Sequence, residues 1–393
     1  MATTISNADS ALKSVYLDVI KEQLNSISPF FSLIKKSTEN VYGKEARKLV
    51  VHGFNGGIGV GDEDGNLPSA VGNKYTQFTS PLKNLYGVIE ISDKALRASE
   101  SNAGALVNLL NAEMEGLIHA STMNFSRMLF GDGSGAIAMI YDINGAKVKV
   151  TNTYRLVEGM EVVIYDPMNY EYEQGVTSRI VKSVNYDTQE VLLSGPAIDT
   201  NRIIGGCELK LAHSNCDELT GLEAIFNADM VPTLYGLNKA ENPWMMPKVV
   251  ESSAITTKLI QEMLDSIEAK SGNVPNIIIT TWAIRRKLQE LFASSPVVIL
   301  GNAVLECGYK AMTINGIPVV VDRFCPEGYI YFLNTNDFEL NQLCDWQWLE
   351  GDNGTILRQV PGKACYTATL VKYADLMCNR PGAQGLIKGI ILS

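Results

Sequence analysis

The sequence predicts an α+β fold with a small β-barrel or sandwich domain inserted into it, and three observations support this prediction. Apolar residues recur every three or four positions between residues 93 and 130, which predicts one long helix. Short β-branched segments separated by turns fill residues 147–212, which predicts a separate β module. Strand-like and helix-like segments alternate over residues 254–333, and β-type segments return at 338–372.

The composition indicates a chain that hides much of its surface. Of its 393 residues, 46% are hydrophobic and 19% are charged, against a usual charged fraction of about 25%. The net charge is −10, which argues against a dedicated nucleic-acid binder, since such a protein carries a basic patch. We therefore expect large cores or extensive contacts with other subunits.

The first 44 residues predict an arm without a core of its own. An amphipathic helix is expected over residues 9–27, where Leu12, Tyr16 and Ile20 share one face, and Pro29 helps to end it. A short apolar patch with Phe30 and Phe31 follows. Neither piece has an obvious local partner, so an arm that docks elsewhere is expected.

Residues 45–91 predict a long hairpin. Strand-like segments at 48–54, 75–78 and 86–91 flank a tip that is rich in glycine and in acidic residues. The tip has few large apolar residues, so we expect it to become ordered only against a neighbour.

The long helix follows the hairpin. Its apolar positions include Leu106, Leu110, Met114 and Leu117, and the glycine-rich turn that begins at Gly131 ends it. From residue 103 to residue 130 such a helix would span about 42 Å.

No segment carries a recognisable catalytic, metal or cofactor motif. The glycines at 56–61 miss the G-x-G-x-x-G pattern and precede no helix. The calcium-like stretch that begins at Asp62 has Leu67 where such a loop needs glycine. The three histidines, His52, His119 and His213, are far apart. We therefore expect no enzyme activity, no cofactor and no metal site.

Targeting signals are also missing from the sequence. No segment approaches the roughly 18 uncharged apolar residues of a membrane span, and the first residues do not resemble a secretory signal. The seven cysteines are odd in number and lack C-x-x-C spacing, which predicts reduced thiols in a cytosolic product.

Three stretches carry a family resemblance. They are residues 276–291 (NIIITTWAIRRKLQEL), residues 315–334 (NGIPVVVDRFCPEGYIYFLN) and residues 373–389, which begin YADLMCNRP. Together with the order of the predicted parts, they are similar to the tailed-bacteriophage major capsid protein, which has the Hong Kong 97 fold. The resemblance covers nearly the whole chain except residues 147–212.

The resemblance implies names and boundaries for the parts of the chain. In order they are the N-terminal arm (1–44), the E-loop hairpin (45–92), the P-domain spine helix (93–146), the inserted β-domain (147–212), a second P-domain segment (213–253), the A-domain (254–328), and the returning P-domain strands with the C-terminus (329–393).

The resemblance also implies a function. The chain would be a structural head protein that assembles with copies of itself into hexamers and pentamers of an icosahedral shell in the host bacterial cytoplasm. The shell would enclose double-stranded DNA without sequence-specific binding. A separate scaffolding protein and a portal are the expected partners, and no membrane is involved. The residues expected to contact neighbouring copies are Leu12, Tyr16, Ile20, Phe30, Phe31, Arg47, Lys48, Asp62, Glu63, Asp64 and Lys74.

Two alternatives remain open at the level of sequence. An encapsulin-like nanocompartment has the same fold but holds protein cargo, and genes for a portal and a terminase beside this one would argue against it. A cytosolic α/β enzyme with a β-barrel insertion would show the 45–91 hairpin folded back around a polar pocket with perturbed titratable groups.

Overall fold

The computed structural model describes residues 28–53, 55–61, 63–94, 103–168, 171–173, 177–199, 206–214, 217–293, 301–304, 310–351 and 354–391. The helix expected over residues 9–27, with Leu12, Tyr16 and Ile20, lies outside the described residues, and so does Asp62. Within the described part, the mixture of helices and sheets confirms the α+β prediction.

The secondary structure is numbered here in chain order. The helices are α1 Pro29–Ser32, α2 Ala103–Met128, α3 Leu222–Phe226, α4 Thr257–Ser271 and α5 Trp282–Ala293. The strands are β1 Lys35–Ser37, β2 Val41–Tyr42, β3 Glu45–His52, β4 Lys74–Pro81, β5 Lys83–Ser92, β6 Ala136–Asn144, β7 Lys147–Val150, β8 Glu161–Asp166, β9 Glu171–Tyr172, β10 Arg179–Asn185, β11 Glu190–Leu193, β12 Glu208–Leu211, β13 Thr233–Leu234, β14 Leu237–Asn238, β15 Lys248–Glu251, β16 Ile277–Thr280, β17 Gly301–Val304, β18 Lys310–Ile314, β19 Ile317–Val321, β20 Ile330–Leu333, β21 Phe338–Trp348, β22 Arg358–Gln359, β23 Cys365–Cys378 and β24 Gly385–Lys388. Short 3-10 turns occupy Pro243–Met245, Thr335–Asp337 and Pro381–Ala383.

A platform sheet lies beside the long helix α2. Its strands run in the order β1-β21-β23-β22, and β5 also pairs with β23. Gly87 on β5 faces the helix so closely that a Cβ there would lie 2.9 Å from the Leu117 Cδ1 atom. The predicted long helix is therefore present and packs directly on this sheet.

The inserted domain is a closed barrel. Its strands pair in the order β10-β11-β7-β6-β12-β8, and β8 pairs back to β10. The register of β6 shifts between Ile140 and Asp142, and that of β10 shifts between Val181 and Ser183, so each of these strands can pair with two neighbours. Val148, Val162, Val191, Leu209 and other buried apolar residues fill a core of its own.

The barrel begins earlier than residue 147, where the sequence placed its start. Its first strand is β6, which begins at Ala136 and pairs with both β7 and β12. Gly145 and Ala146 form the turn between β6 and β7, with Gly145 at φ 64°. A glycine between two strand-like segments marks a tight hairpin as readily as a domain boundary, so the sequence alone could not separate the two.

A second large sheet runs in the order β15-β24-β20-β16-β19-β18-β17 and carries α4 and α5. We call it the A-domain sheet, although β15, β20 and β24 lie outside the predicted A-domain bounds of 254–328 and pair with its strands from the flanking segments. The Thr256 hydroxyl caps α4 by accepting a hydrogen bond from the Leu259 N–H at 3.1 Å. All four residues of β16 are buried: Ile278 packs in the same core as the two helices, whereas Ile277 and Ile279 face the platform core. This sheet is therefore covered on both faces, which explains its continuous apolar strands.

A reciprocal pair of hydrogen bonds joins the barrel to the A-domain. Arg155, in the loop between β7 and β8, donates from Nη2 to the Phe324 carbonyl oxygen at 2.8 Å. Arg323, in the loop between β19 and β20, donates from Nε to the Tyr154 carbonyl oxygen at 3.2 Å. These contacts fix the barrel against the loop that follows β19. No helix in the described part of the chain is long and apolar enough to cross a membrane.

Candidate assembly surfaces

The hairpin forms as predicted over β3 and β4. These strands pair in register from Glu45 opposite Pro81 to His52 opposite Lys74, and β2 adds a third strand at the edge. The expected third segment at 86–91 belongs elsewhere, because β5 pairs along its length with β23 in the platform sheet. The free part of the hairpin therefore ends near Pro81 and not at residue 92.

One face of the paired strands β3 and β4 is anchored to its own subunit along the whole length of the strands. The His52 ring stacks on the Trp244 ring with centroids 4.4 Å apart and planes 2° apart. Phe78 is fully buried, and its ring centroid lies 5.3 Å from that of Tyr235. Strand alternation places every second side chain of β3 and β4 on this anchored face.

A buried polar contact completes the anchor at the base of β4. The Ser80 hydroxyl donates to Asp375, which also accepts hydrogen bonds from Thr220 N at 2.7 Å and Thr220 Oγ1 at 2.9 Å. Burial raises the pKa of Asp375 above its ordinary value, although these donors act to lower it. This face of the hairpin is thus fixed while its other face stays uncovered.

The opposite face of the hairpin presents apolar side chains to solvent. Leu49, Val51 and Tyr75 are 63%, 56% and 55% exposed, and Val51 lies directly opposite Tyr75 across the two strands. We call these three residues the hairpin patch. Apolar side chains clustered on an exposed strand face are typical of a surface that contacts another protein.

The tip between the two strands is also exposed. It contains no regular secondary structure over the described residues 55–61 and 63–73. Ile58, Val60 and Leu67 are exposed apolar side chains, and Glu63 and Asp64 are exposed acidic ones. The tip therefore combines apolar and acidic side chains on a segment that the described residues of its own subunit leave exposed.

Two aromatic residues expected to contact a neighbour lie instead in the chain's own core. Phe30 is fully buried, with its ring 5.7 Å from that of Phe130 and 5.6 Å from that of Phe338. Phe31 is also buried and packs edge-on against Phe125 at 5.3 Å. The prediction of inter-subunit contacts for Phe30 and Phe31 was wrong. An apolar patch in a sequence indicates that its side chains will be buried, but it does not indicate whether they are buried in the chain's own core or against another subunit.

The basic residues expected at neighbour contacts have different surroundings. Arg47 donates from Nε to Glu45 Oε1 at 2.7 Å on its own strand. Lys48 forms an ion pair with Glu339 of the platform sheet, so it helps to hold the hairpin on its own subunit. Lys74 is exposed at the end of the hairpin next to the tip. Arg47, Lys74, Glu63 and Asp64 are exposed and therefore remain predicted contact residues.

The N-terminal segment is held by a buried carboxylate. The Ser28 hydroxyl donates to Asp322 Oδ2 at 2.9 Å, and Phe324 N–H donates to Oδ1 at 2.9 Å. Burial raises the pKa of Asp322 from 3.8 to about 6, although these donors and the nearby Arg155 act to lower it. The arm, the A-domain and the inserted barrel thus meet at one carboxyl group.

This carboxyl group predicts a pH dependence of stability. Because the pKa of Asp322 is higher in the folded state than in the unfolded chain, its contribution to stability is present below about pH 4 and is lost as the pH rises to about 6. Between those values, we expect the free energy of unfolding of the wild type to fall by about 2–3 kcal/mol more than that of Asp322→Asn. Urea unfolding of both proteins at several pH values measures this difference. Parallel pH profiles would contradict the assignment.

The hairpin patch is not among the contact residues predicted from the sequence. Within the strand predicted over 48–54, Leu49 and Val51 alternate with Lys48, Val50 and His52, so that both faces of the strand carry apolar side chains. A hairpin strand that is apolar on both faces must be covered on both faces. That signal could have identified the patch before the structure was known.

Neither a protein-family model nor a curated protein sequence matches this chain. Solved structures do match it. It superposes on a chain of the cyanophage A-1(L) capsid asymmetric unit with a TM-score of 0.56 and 11% identity, covering 92% of this chain and 93% of that one. Chains of a native GTA particle capsid (TM-score 0.48, 10% identity, 92% and 90% covered) and of the SrpI encapsulin complex from Synechococcus elongatus PCC 7942 (TM-score 0.48, 11% identity, 94% and 90% covered) are more distant.

The similarity to the cyanophage chain includes more than nine tenths of both chains. The fold is therefore that of a phage capsid subunit. More particularly, it is the Hong Kong 97-like fold that the sequence predicted, with a closed barrel inserted between α2 and the A-domain.

Proposed function

We propose that this chain is the major capsid protein of a tailed bacteriophage, a structural and non-enzymatic protein that assembles into the hexamers and pentamers of an icosahedral shell around double-stranded DNA. The observation that carries the proposal is the hairpin. One face of its strands is fixed to its own subunit, whereas the hairpin patch and the tip present apolar side chains that no described residue covers.

Physical considerations support self-assembly through this hairpin. A contact that repeats between identical chains and closes into rings requires two different, complementary surfaces on each subunit. An extended hairpin can lie across a neighbour and add interface area without enlarging either domain. In the exposed state, the patch and tip would be an aggregation hazard, which a permanent partner removes.

The remaining partners follow from the same proposal. A separate scaffolding protein would direct assembly and a portal would occupy one vertex, both in the bacterial cytoplasm, and the finished protein would reside in the virion. The net charge of −10 suits a container, because a shell lined with cations would bind DNA phosphates and retain the genome.

Electron microscopy of the expressed full-length chain tests this proposal. The chain would be purified alone and after co-expression with the neighbouring scaffold gene. We expect rings of five and six subunits or closed shells in at least one preparation. A monodisperse monomer under all conditions, at concentrations well above those at which shell proteins assemble, would contradict the proposal.

An encapsulin-like compartment is the second candidate, and the contents of purified particles distinguish it. Particles from the natural source that hold nuclease-resistant double-stranded DNA would support the capsid, whereas particles that hold one abundant protein would support the compartment. An enzyme is the third candidate. The exposed hairpin tip argues against it, because that alternative required the hairpin to fold back around a polar pocket.

A further inference from the structure

A cavity of about 370 Å³ lies where the inserted barrel meets the A-domain. Tyr154 lines it from the barrel, Trp282 and Arg286 from α5, and Arg323 and Glu327 from the loop between β19 and β20. This volume falls within the range of about 300–1,000 Å³ that small-molecule sites occupy. Shell assembly through the hairpin does not use this cavity, so its lining needs another explanation.

The two arginines give the cavity a positive wall. Neither Arg286 nor Arg323 has a carboxylate within 4.0 Å among the residues that the structure describes. Arg323 uses its Nε for the Tyr154 carbonyl oxygen, and its two terminal nitrogens remain as further donors. Two guanidinium groups at one cavity favour an anion with several acceptor oxygens.

The start of α5 adds to this preference. The helix has 12 residues and begins at Trp282, so the free N–H groups of its first turn carry a partial positive charge at the cavity. Arg286, the fifth residue of the helix, lines the same cavity.

Thr281 precedes the helix, lines the cavity and is only 8% exposed. Its Oγ1 has no hydrogen-bond partner in the described part of the chain, but this atom is itself buried away from the cavity surface, so it is not a contact for a ligand. An acceptor oxygen bound at the helix start would satisfy the free N–H groups of the first turn.

The aromatic side chains indicate what accompanies the anion. Tyr154 and Trp282 are both partly exposed at the cavity, and Tyr154 is held by a stacking contact with Tyr186 at 5.7 Å. We propose that this cavity binds a nucleotide, with its phosphate at Arg286, Arg323 and the start of α5 and its base on an aromatic face. The phosphate chemistry is the same for a free nucleotide and for a terminal nucleotide of single-stranded DNA.

Isothermal titration of the full-length protein at low ionic strength tests the proposal, with dAMP, inorganic phosphate, deoxyadenosine and a 5′-phosphorylated ten-residue oligodeoxyadenylate as probes. We expect dAMP to bind more tightly than inorganic phosphate or deoxyadenosine, because only dAMP offers both groups. Tighter binding of the 5′-phosphorylated oligonucleotide than of dAMP would identify DNA as the source, and the reverse order would identify a free nucleotide.

Matched variants separate the site from general charge effects. Arg286→Gln should weaken dAMP binding about tenfold, since it removes a charged hydrogen-bond donor. Glu327→Gln should tighten binding a few-fold, because Glu327 is a carboxylate at the cavity wall and repels the phosphate. Tighter dAMP binding by Glu327→Gln would also show that the variant is folded, because a misfolded protein would lose affinity.

One further variant completes the design. Lys258→Gln, which removes an exposed charge from α4 outside the cavity, should leave affinity unchanged. The absence of saturable dAMP binding, or equal affinities in wild type, Arg286→Gln and Glu327→Gln, would overturn the proposal. This test is independent of shell assembly, so either proposal can fail alone.

Discussion

Replacing Leu49 and Val51 together by glutamate is expected to abolish assembly into rings and shells while leaving the subunit folded. Both side chains point away from the anchored face of the hairpin and into solvent. In an assembled shell they would be buried against a neighbour. Burying two unpaired carboxylates would weaken the association by roughly several kcal/mol at each contact. Repeated at every contact, that penalty would prevent assembly.

The subunit itself should tolerate this change. The pairing of β3 with β4 is retained, and the anchored side chains, His52 and Phe78, are untouched. The free energy of unfolding should fall by about 1 kcal/mol or less, which is the loss of strand preference at two exposed positions. Analytical ultracentrifugation and electron microscopy measure assembly, and urea unfolding of the dissociated subunit measures stability.

Met168→Glu is the matched control for the hairpin variant. This methionine is 88% exposed on the barrel, and the substitution makes the same apolar-to-acidic change away from the hairpin. We expect the control to assemble like the wild type. Normal shells from the Leu49→Glu, Val51→Glu protein would show that the hairpin patch is not an assembly contact.

Phe30→Ala is expected to have the opposite effect, since it should destabilise the subunit itself. The Phe30 ring is fully buried between Phe130 and Phe338, where α1 meets the platform sheet. Truncation of a buried phenylalanine removes its burial and leaves a cavity, at a cost of about 3–5 kcal/mol. Such a loss is a large share of the roughly 5–15 kcal/mol that stabilises a typical domain.

Urea unfolding of the unassembled subunit measures this effect. Tyr42→Ala is a suitable control, because Tyr42 is an exposed aromatic side chain in β2, close to the same segment of chain. We expect the control to lie within about 0.5 kcal/mol of the wild type. If Phe30→Ala left subunit stability unchanged and weakened only assembly, the intra-subunit position of Phe30 would be refuted.

These two expectations divide the N-terminal region into parts with different roles. The segment that begins at Ser28 is held within its own subunit by Asp322, by the core around Phe30 and by the parallel pairing of β1 with β21. The hairpin that follows is held along one face of β3 and β4. A neighbour is therefore most able to gain contacts from its outer face and tip, which no described residue of the same chain covers.

The sequence determined much of the fold because local signals there agree with one another. Each local pattern predicts one type of element. Apolar spacing predicts α2, β-branched segments predict the barrel strands, and the change from strand-like to helix-like sequence and back predicts β16, α5 and β19. The turn residues Gly131 and Gly272 end helices close to the residues where the structure ends them. Such signals depend on neighbours within a few residues, which a sequence displays directly.

Only the tertiary structure decided which surface covers each apolar segment. Phe30 and Leu49 look alike in the sequence, yet one lies in the chain's own core and the other faces solvent. The same holds for Asp322, Arg155 and Ser28, which belong to three separate regions and meet at one buried carboxyl group. Burial depends on packing between residues up to about 300 positions apart in the sequence, such as Ser28 and Asp322. A local sequence pattern therefore does not show which core, or which neighbouring subunit, will bury a given side chain.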